Sequence, residues 1–330
     1  MYLKADPMPW LLEAGRPPVR WRALVDLLDQ PLEDPQVLAA RAAVLEWPPL
    51  AALLTAQGPN GDWGRGDFYL PRAGRGTFWV LSILGEVMGS DLASRPVFLQ
   101  DGAVDERIRL GCEWIFGHQR EDGAFCRRRR VAGQGLVWEQ RTEPCTQARI
   151  LRFLIQLGYG ADPRVRRGIE WLLPAQRADG MWLCRGDGGR GCLRATLDVL
   201  GLAALDPVTA GQPEIGRAAR AVCGLLMQPR MSRYHMGEEW GTWEKLKYPA
   251  FGFNVISALD ALGRLGYPVA EPGIAAALDY LLSRQLPDGR WPLDECWPEA
   301  PLDFGLAGAA NAWVTLEALR AIQRFKIVFR

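Results

Sequence analysis

A seven-residue pattern, Gln-x-x-Asp-Gly-x-Trp, recurs along this chain and limits what it can fold into more than any other feature. It is complete at Gln176-Arg-Ala-Asp179-Gly180-Met-Trp182 and at Gln285-Leu-Pro-Asp288-Gly289-Arg-Trp291. Phe125 takes the Trp place in Gln119-Arg-Glu-Asp122-Gly123-Ala-Phe125, and the copy from Gln57 to Trp63 is looser. A fifth copy at Gln228-Pro229 has lost its Asp-Gly-x-Trp. The five Gln residues are separated by 62, 57, 52 and 57 residues. In the other four copies a helical run ends where Asp-Gly or Asn-Gly supplies the positive-φ position that stops a helix. The aromatic two residues later is placed to fold back on the helix just left. A period of this length marks stacked supersecondary units, none of which buries its apolar face alone.

Between the loops, apolar residues follow the 3.6-residue period and predict two helices per unit. The expected helices cover 19–28, 35–46, 77–88, 105–119, 145–158 and 163–176, then a run from Cys192, 214–228, 253–265, 273–285 and 311–325. Alternating runs are no longer than a few residues, so the fold class is all-α. Stacked helix pairs form either an open superhelix or a closed ring, and only the open form needs polar caps. Both ends of this chain are apolar, Leu-rich at the start and AWVTLEAL in the last helix. That favours an α/α toroid, a closed barrel of about five to six helix pairs in inner and outer rings. It is read as one domain over 1–330, with residues 1–56 completing the ring.

Composition removes several function classes. With 39 basic and 38 acidic residues the net charge is +1, so no global field draws the chain to nucleic acid or to a charged membrane. Arg127 to Arg130 is read as a solvated loop. No secretory leader and no stretch of 18 uncharged apolar residues is present, which predicts no transmembrane segment and a cytoplasmic protein. Seven Cys in 330 residues fit a reduced compartment, with thiols that are structural or bind metal.

Four of those Cys hold corresponding places. Cys126 and Cys184 follow successive loop glycines, and Cys145 and Cys192 open the helices after them. Corresponding positions in neighbouring units lie side by side. The four thiols are therefore expected to converge, and thiolates at helix N-termini suit a tetrahedral zinc site. The alternative is that they are small buried apolar residues, the reading preferred for Cys112 and Cys223.

Glu143 and Arg149 flank Cys145 and form either a structural ion pair or a catalytic, substrate-orienting one, and His235 in an irregular segment is either an acid, base or metal ligand or a surface or satisfied histidine. Asp198 lies off the Cys192 face of its helix and is read as structural. Trp79, Trp138, Tyr234, Trp240, Trp243, Tyr248 and Phe251 fall in loops or at helix starts. There they either line a central cavity, where aromatic faces hold hydrocarbon, or pack as core.

The repeated loop resembles the QW motif of the squalene cyclase and protein prenyltransferase superfamily, and the region from Gln57 onward is similar to its single-domain bacterial squalene-cyclase-repeat members. The resemblance implies an α/α toroid whose cavity takes an isoprenoid or other small apolar ligand. Cyclases of that superfamily protonate an alkene from Asp-x-Asp-Asp, where this chain reads Gly191-Cys192-Leu193-Arg194-Ala195-Thr196. Prenyltransferases hold zinc through Asp-x-Cys. Cys192 matches that Cys, yet Arg190 stands in the Asp place, and Asp294-Glu295-Cys296 spells the motif elsewhere. The expected function is a terpene cyclase- or prenyltransferase-like toroid with a Cys-rich zinc site at one end. The alternative is a non-catalytic ligand- or protein-binding toroid with structural zinc or none. A saccharide-cleaving enzyme would need two carboxylates facing each other across the cavity, and the sequence shows no obvious pair.

Overall fold

A computed structural model describes residues 3–13, 16–64, 76–89, 102–131, 133–138, 142–184, 191–229, 243–297 and 300–326, with backbone alone at 102–105, 128–131, 136 and 138. Six helices make the inner ring. They are α2 (Pro17–Arg22, running on as a π-helix over Ala23–Leu27), α5 (Thr77–Met88), α7 (Pro144–Leu154), α9 (Leu193–Ala203), α12 (Val255–Arg264) and α14 (Ala312–Gln323). Each packs on the next in chain order, and α14 packs on α2. The ring is closed.

The outer layer holds α1 (Met8–Glu13), α3 (Pro35–Leu45) with α4 (Pro48–Thr55), α6 (Gly102–Phe116), α8 (Pro163–Leu172), α11 (Pro213–Leu225) and α13 (Pro272–Ser283), while the short α10 (Pro207–Ala210) sits against α9. Across both layers α2, α3, α4, α7, α8, α10, α11 and α13 open on proline, whose missing N–H would find no partner in a first turn. The first 56 residues form four helices where sequence periodicity shows two. Pro48-Pro49 reads as a break in the sequence but is the first turn of α4. Two short ladders lie in the loops, β1 (Arg128–Val131) antiparallel to β2 (Gly135–Trp138) and β3 (Lys247–Tyr248) parallel to β4 (Glu295–Cys296). Among the described residues no single helix is long and apolar enough to cross a membrane; α3 and α4 reach that length and composition only as a pair bent by 47°.

The repeated loop ties one unit to the next. Gln57, Gln119 and Gln176 donate from Nε2 to their own loop glycine carbonyls at 2.9–3.0 Å, and to Arg107, Arg164 and Glu214 of the following outer helix at 2.7–2.8 Å. Gln285 makes the same pair of bonds, to Gly289 O (2.8 Å) and to Ala5 O (3.1 Å), just before α1. The last loop thus treats the chain's first helix as the next outer helix. Trp63, Trp182 and Trp291 each donate from the indole to the carbonyl ten residues back, at 2.7–2.8 Å, capping the helix they follow. Trp243 does so across a longer span, to Leu225 O at 3.0 Å. The fourth loop keeps its Trp behind an insertion, and that spacing hid it from sequence inspection.

Candidate functional site

Contacts among residues at or just before their first turns gather the starts of α5, α7, α9, α12 and α14 at one end of the ring. Cys145 lies in the first turn of α7, Cys192 is the N-cap of α9, and Cys184 sits in the loop between α8 and α9. The sulfurs of Cys145 and Cys184 are 3.6 Å apart, and Cys184 is hydrogen-bonded to Cys192. That bond holds the Cys192 thiol below its ordinary value against burial. The Cys145 bond lowers Cys184, but its bond to Cys192 and burial outweigh this and push it up to about 11. Cys145 is raised by its contact with Cys184 and by burial. The fourth thiol has a partner of another kind, for Cys126 Sγ lies 2.7 Å from Thr142 Oγ1. Among the described residues no group of three or more His, Cys, Asp or Glu is placed to hold a metal ion. The described side chains do not assemble a four-sulfur site.

Toward the middle of the axis the character changes. Every inner helix delivers charge there: Arg22 and Asp26 from α2, Glu86 from α5, Arg149 and Arg152 from α7, Asp198 from α9, Asp260 from α12, and Glu317 and Arg320 from α14. Residues three, four or seven apart share a helix face, which is why Arg149 and Arg152 point the same way. Arg149 reaches Asp198 Oδ1 at 2.5 Å and Glu86 Oε1 at 3.4 Å, and Arg152 reaches Glu86 at 3.1 Å. Arg22 bonds Glu317 at 2.7 Å and Asp26 at 3.1 Å, while Arg320 meets Asp26 at 3.1 Å and Glu317 at 2.5 Å. Arg149 therefore takes Glu86 and Asp198 as carboxylate partners in place of Glu143, whose Oε2 accepts from Thr146 at 3.5 Å.

These pairs fix the charge states. Burial raises the Glu86 carboxyl, but Arg152 and Arg149 outweigh it and hold it below the ordinary range. The same contest, burial against Arg22 and Arg320, leaves Glu317 low, and Arg264 with Arg320 does so for Asp260.

A cavity opens on this network, lined by Glu86, Arg149, Asp198, Tyr248, Asp260 and Glu317 among others. About 50 Å³ of it is open to the centres of water-sized molecules, room for a few heavy atoms. Tyr248 stacks on Trp313 at 5.0 Å and meets Phe304 edge-on at 5.1 Å. On the N-terminal side Trp79, Phe251 and Trp297 form a second cluster, with centroids 4.6–5.1 Å apart and the Arg149 guanidinium 5.4 Å from the Phe251 ring. Phe251 lies between the lining residues Ala250 and Gly252.

Of the sequence candidates, Arg149, Tyr248, Phe251 and Trp79 come together here, whereas Trp243 is buried as the loop wedge that caps α11. Tyr234, His235 and Trp240 lie outside the described residues, as does the side chain of Trp138. Sequence inspection missed Glu86, Arg152, Asp260 and Glu317, read Asp198 as structural, and counted Trp297 among the aromatics that either rim the cavity or pack as core. All the carboxylates share a legible sign, a lone charge inside an apolar helix, as in ATLDVLGL or ISALDALG. Such a charge must find a partner across the core.

The helices and their closure define an all-α protein of the α/α-toroid class. No protein-family model and no curated protein matches the chain. Among solved structures it is similar to a protein from Actinoplanes, at 20% identity over 93% of this chain and 89% of that one with a TM-score of 0.47. It is also similar to the type II terpene cyclase MstE from Scytonema. A variant in complex with geranylgeranyl dihydroxybenzoate gives 17% identity over 84% of this chain and 95% of that one, TM-score 0.38, and the apo enzyme gives 17%, 83%, 94% and 0.31.

Proposed function

We propose that this protein is a terpene cyclase- or prenyltransferase-like toroid that binds a prenyl-bearing small molecule at the N-terminal mouth of the ring. The aromatic cluster of Trp79, Phe251 and Trp297 beside the axial cavity carries this reading. Three mutually packed rings, two of them only half-buried, make an apolar bed for a branched hydrocarbon, and Arg149 stands over one of them. The cavity itself is too small for a prenyl chain, so the hydrocarbon belongs on the rings and only its head reaches inside.

Binding is the part of the terpene-cyclase reading that these residues support. Glu86, Asp260 and Glu317 are held ionised by arginines, so none of these three carries a proton to give to an alkene near neutral pH. The repeated loops and the closed ring support the same family resemblance without specifying a reaction.

Titration with a three-isoprene alcohol, followed by tryptophan fluorescence, tests the proposal. Phe251→Ala and Trp297→Ala are each expected to weaken binding by about 10-fold or more, the effect of removing one large apolar contact. Unchanged affinity in both variants, with folding intact, would move the ligand elsewhere.

A further inference from the structure

Four polar atoms on residues that line the axial cavity have no hydrogen-bond partner among the described residues: Tyr248 Oη, Asp198 Oδ2, Arg149 Nε and Arg152 Nε. Buried polar atoms are nearly always satisfied, and an unmet one marks a place for a ligand or an ordered water. Tyr248 is only 3% exposed, and its ring is fixed by Trp313 and Phe304. Asp198 gives Oδ1 to Arg149, while Oδ2 has only Arg194 Nε at 3.9 Å, too far for a hydrogen bond.

The unmet set mixes kinds. Asp198 Oδ2 needs a donor, the two arginine Nε atoms need an acceptor, and Tyr248 Oη serves either way. An ammonium answers only the first need and a phosphate only the second. A hydroxyl answers both.

Charge points the same way. Among the described residues the cavity wall carries the carboxylates Glu86, Asp198, Asp260 and Glu317 and the cations Arg149, Arg152 and Lys247, while Arg22, Arg264 and Arg320 pair with Glu317 and Asp260 from outside that lining. Each wall cation is already paired, Lys247 with Glu295 at 2.5 Å and the two arginines with Glu86 and Asp198. Among the described residues a diphosphate entering here meets no uncommitted positive charge, and to bind a wall cation it must displace the carboxylate already paired with it. We propose that the axial cavity receives an uncharged, hydroxyl-bearing head group, held by Tyr248 Oη and Asp198 Oδ2, at the end of the ligand whose hydrocarbon lies on the Trp79 cluster. The inference rests on the prenyl-binding reading above and narrows its ligand to prenyl alcohols or phenols, excluding prenyl diphosphates.

The test compares four probes with the same three-isoprene chain, the alcohol, the hydrocarbon, the amine and the diphosphate, by tryptophan fluorescence titration of the full chain. The alcohol is expected to bind about 10-fold tighter than the hydrocarbon, in the range of satisfying buried polar groups. Tyr248→Phe is expected to erase most of that advantage while leaving the hydrocarbon's affinity unchanged, a split that a merely structural tyrosine would not give. If Tyr248→Phe fails to fold, the order of the four probes on the unaltered protein decides. Tighter binding of the diphosphate or the amine overturns the inference. Equal affinity of all four probes, or an alcohol advantage untouched in a folded Tyr248→Phe, overturns it too and leaves the prenyl reading standing. If none of the four binds, both fall together.

Discussion

Arg149 shows how much one axial residue holds. It is almost fully buried, bonds Asp198 and Glu86, and donates to Ala250 O at 3.2 Å, so it fixes three neighbouring segments at once. Removing one partner of a buried pair leaves the other charge stranded, whereas replacing both with apolar groups is often neutral. Asp198→Ala is therefore expected to cost about 3–5 kcal/mol in a denaturant melt. The double change Asp198→Leu with Arg149→Met should recover much of it, and a loss as large as in the single variant would argue against the pairing. The depressed carboxyls of Glu86, Asp260 and Glu317 add a pH signature. A carboxylate with a lower pKa folded than unfolded stabilises the fold above its unfolded value, near 4, and that gain is lost as pH falls through the folded value. Tm is thus expected to stay level from pH 7 to about 5 and to drop steeply below about 4. A decline already complete at pH 6 would mean that other groups control stability.

At the scale of the element, the loop glycines decide how closely one unit approaches the next. Gly123 has φ +95°, and a Cβ there would stand 2.2 Å from Arg167 O in α8. Gly133 also has positive φ (+78°) but, among the described residues, faces nothing within 4 Å. Gly133→Ala is expected to cost about 1–2 kcal/mol from backbone strain alone. Gly123→Ala should cost distinctly more, because the outer helix must move as well, and equal losses in thermal melts would refute the contact. This is also why the fold was legible: Gln, Gly and Trp are each required by a specific bond or approach, so their recurrence in the sequence is the recurrence of a joint. Where an insertion stretched the joint before Trp243, the sign was lost although the bond to Leu225 survived. The axial site was less legible for a different reason. Cys, His and aromatics announce chemistry by type, and they drew attention to the ring's end, while Glu86, Asp198 and Asp260 gain meaning only when the inner helices bring them to one axis.

The molecule as a whole depends on a seam. An open stack of helix pairs has two ends, each free to fray, but here Lys4 N donates to Gln285 Oε1 at 2.6 Å, Arg22 bridges to Glu317, and Gln323 Nε2 reaches Leu27 O at 3.2 Å. The seam thus joins both layers, outer through Ala5 and Gln285, inner through α2 and α14. Nearest-neighbour stacks lose stability locally when an end unit is removed. A ring responds differently, since cutting it once creates two free ends and exposes buried charge at the axis. Deleting residues 1–13 removes α1 and the partners of Gln285 and is expected to raise amide exchange in α2, α13 and α14 together, on both sides of the cut. Exchange confined to α2, with α13 and α14 still protected, would show that the two ends are merely adjacent and that the axial network does not need closure. Coupled loss would tie the site to the seam, because Glu317 and Arg22, which meet across it, also set the charge of the cavity that Tyr248 lines.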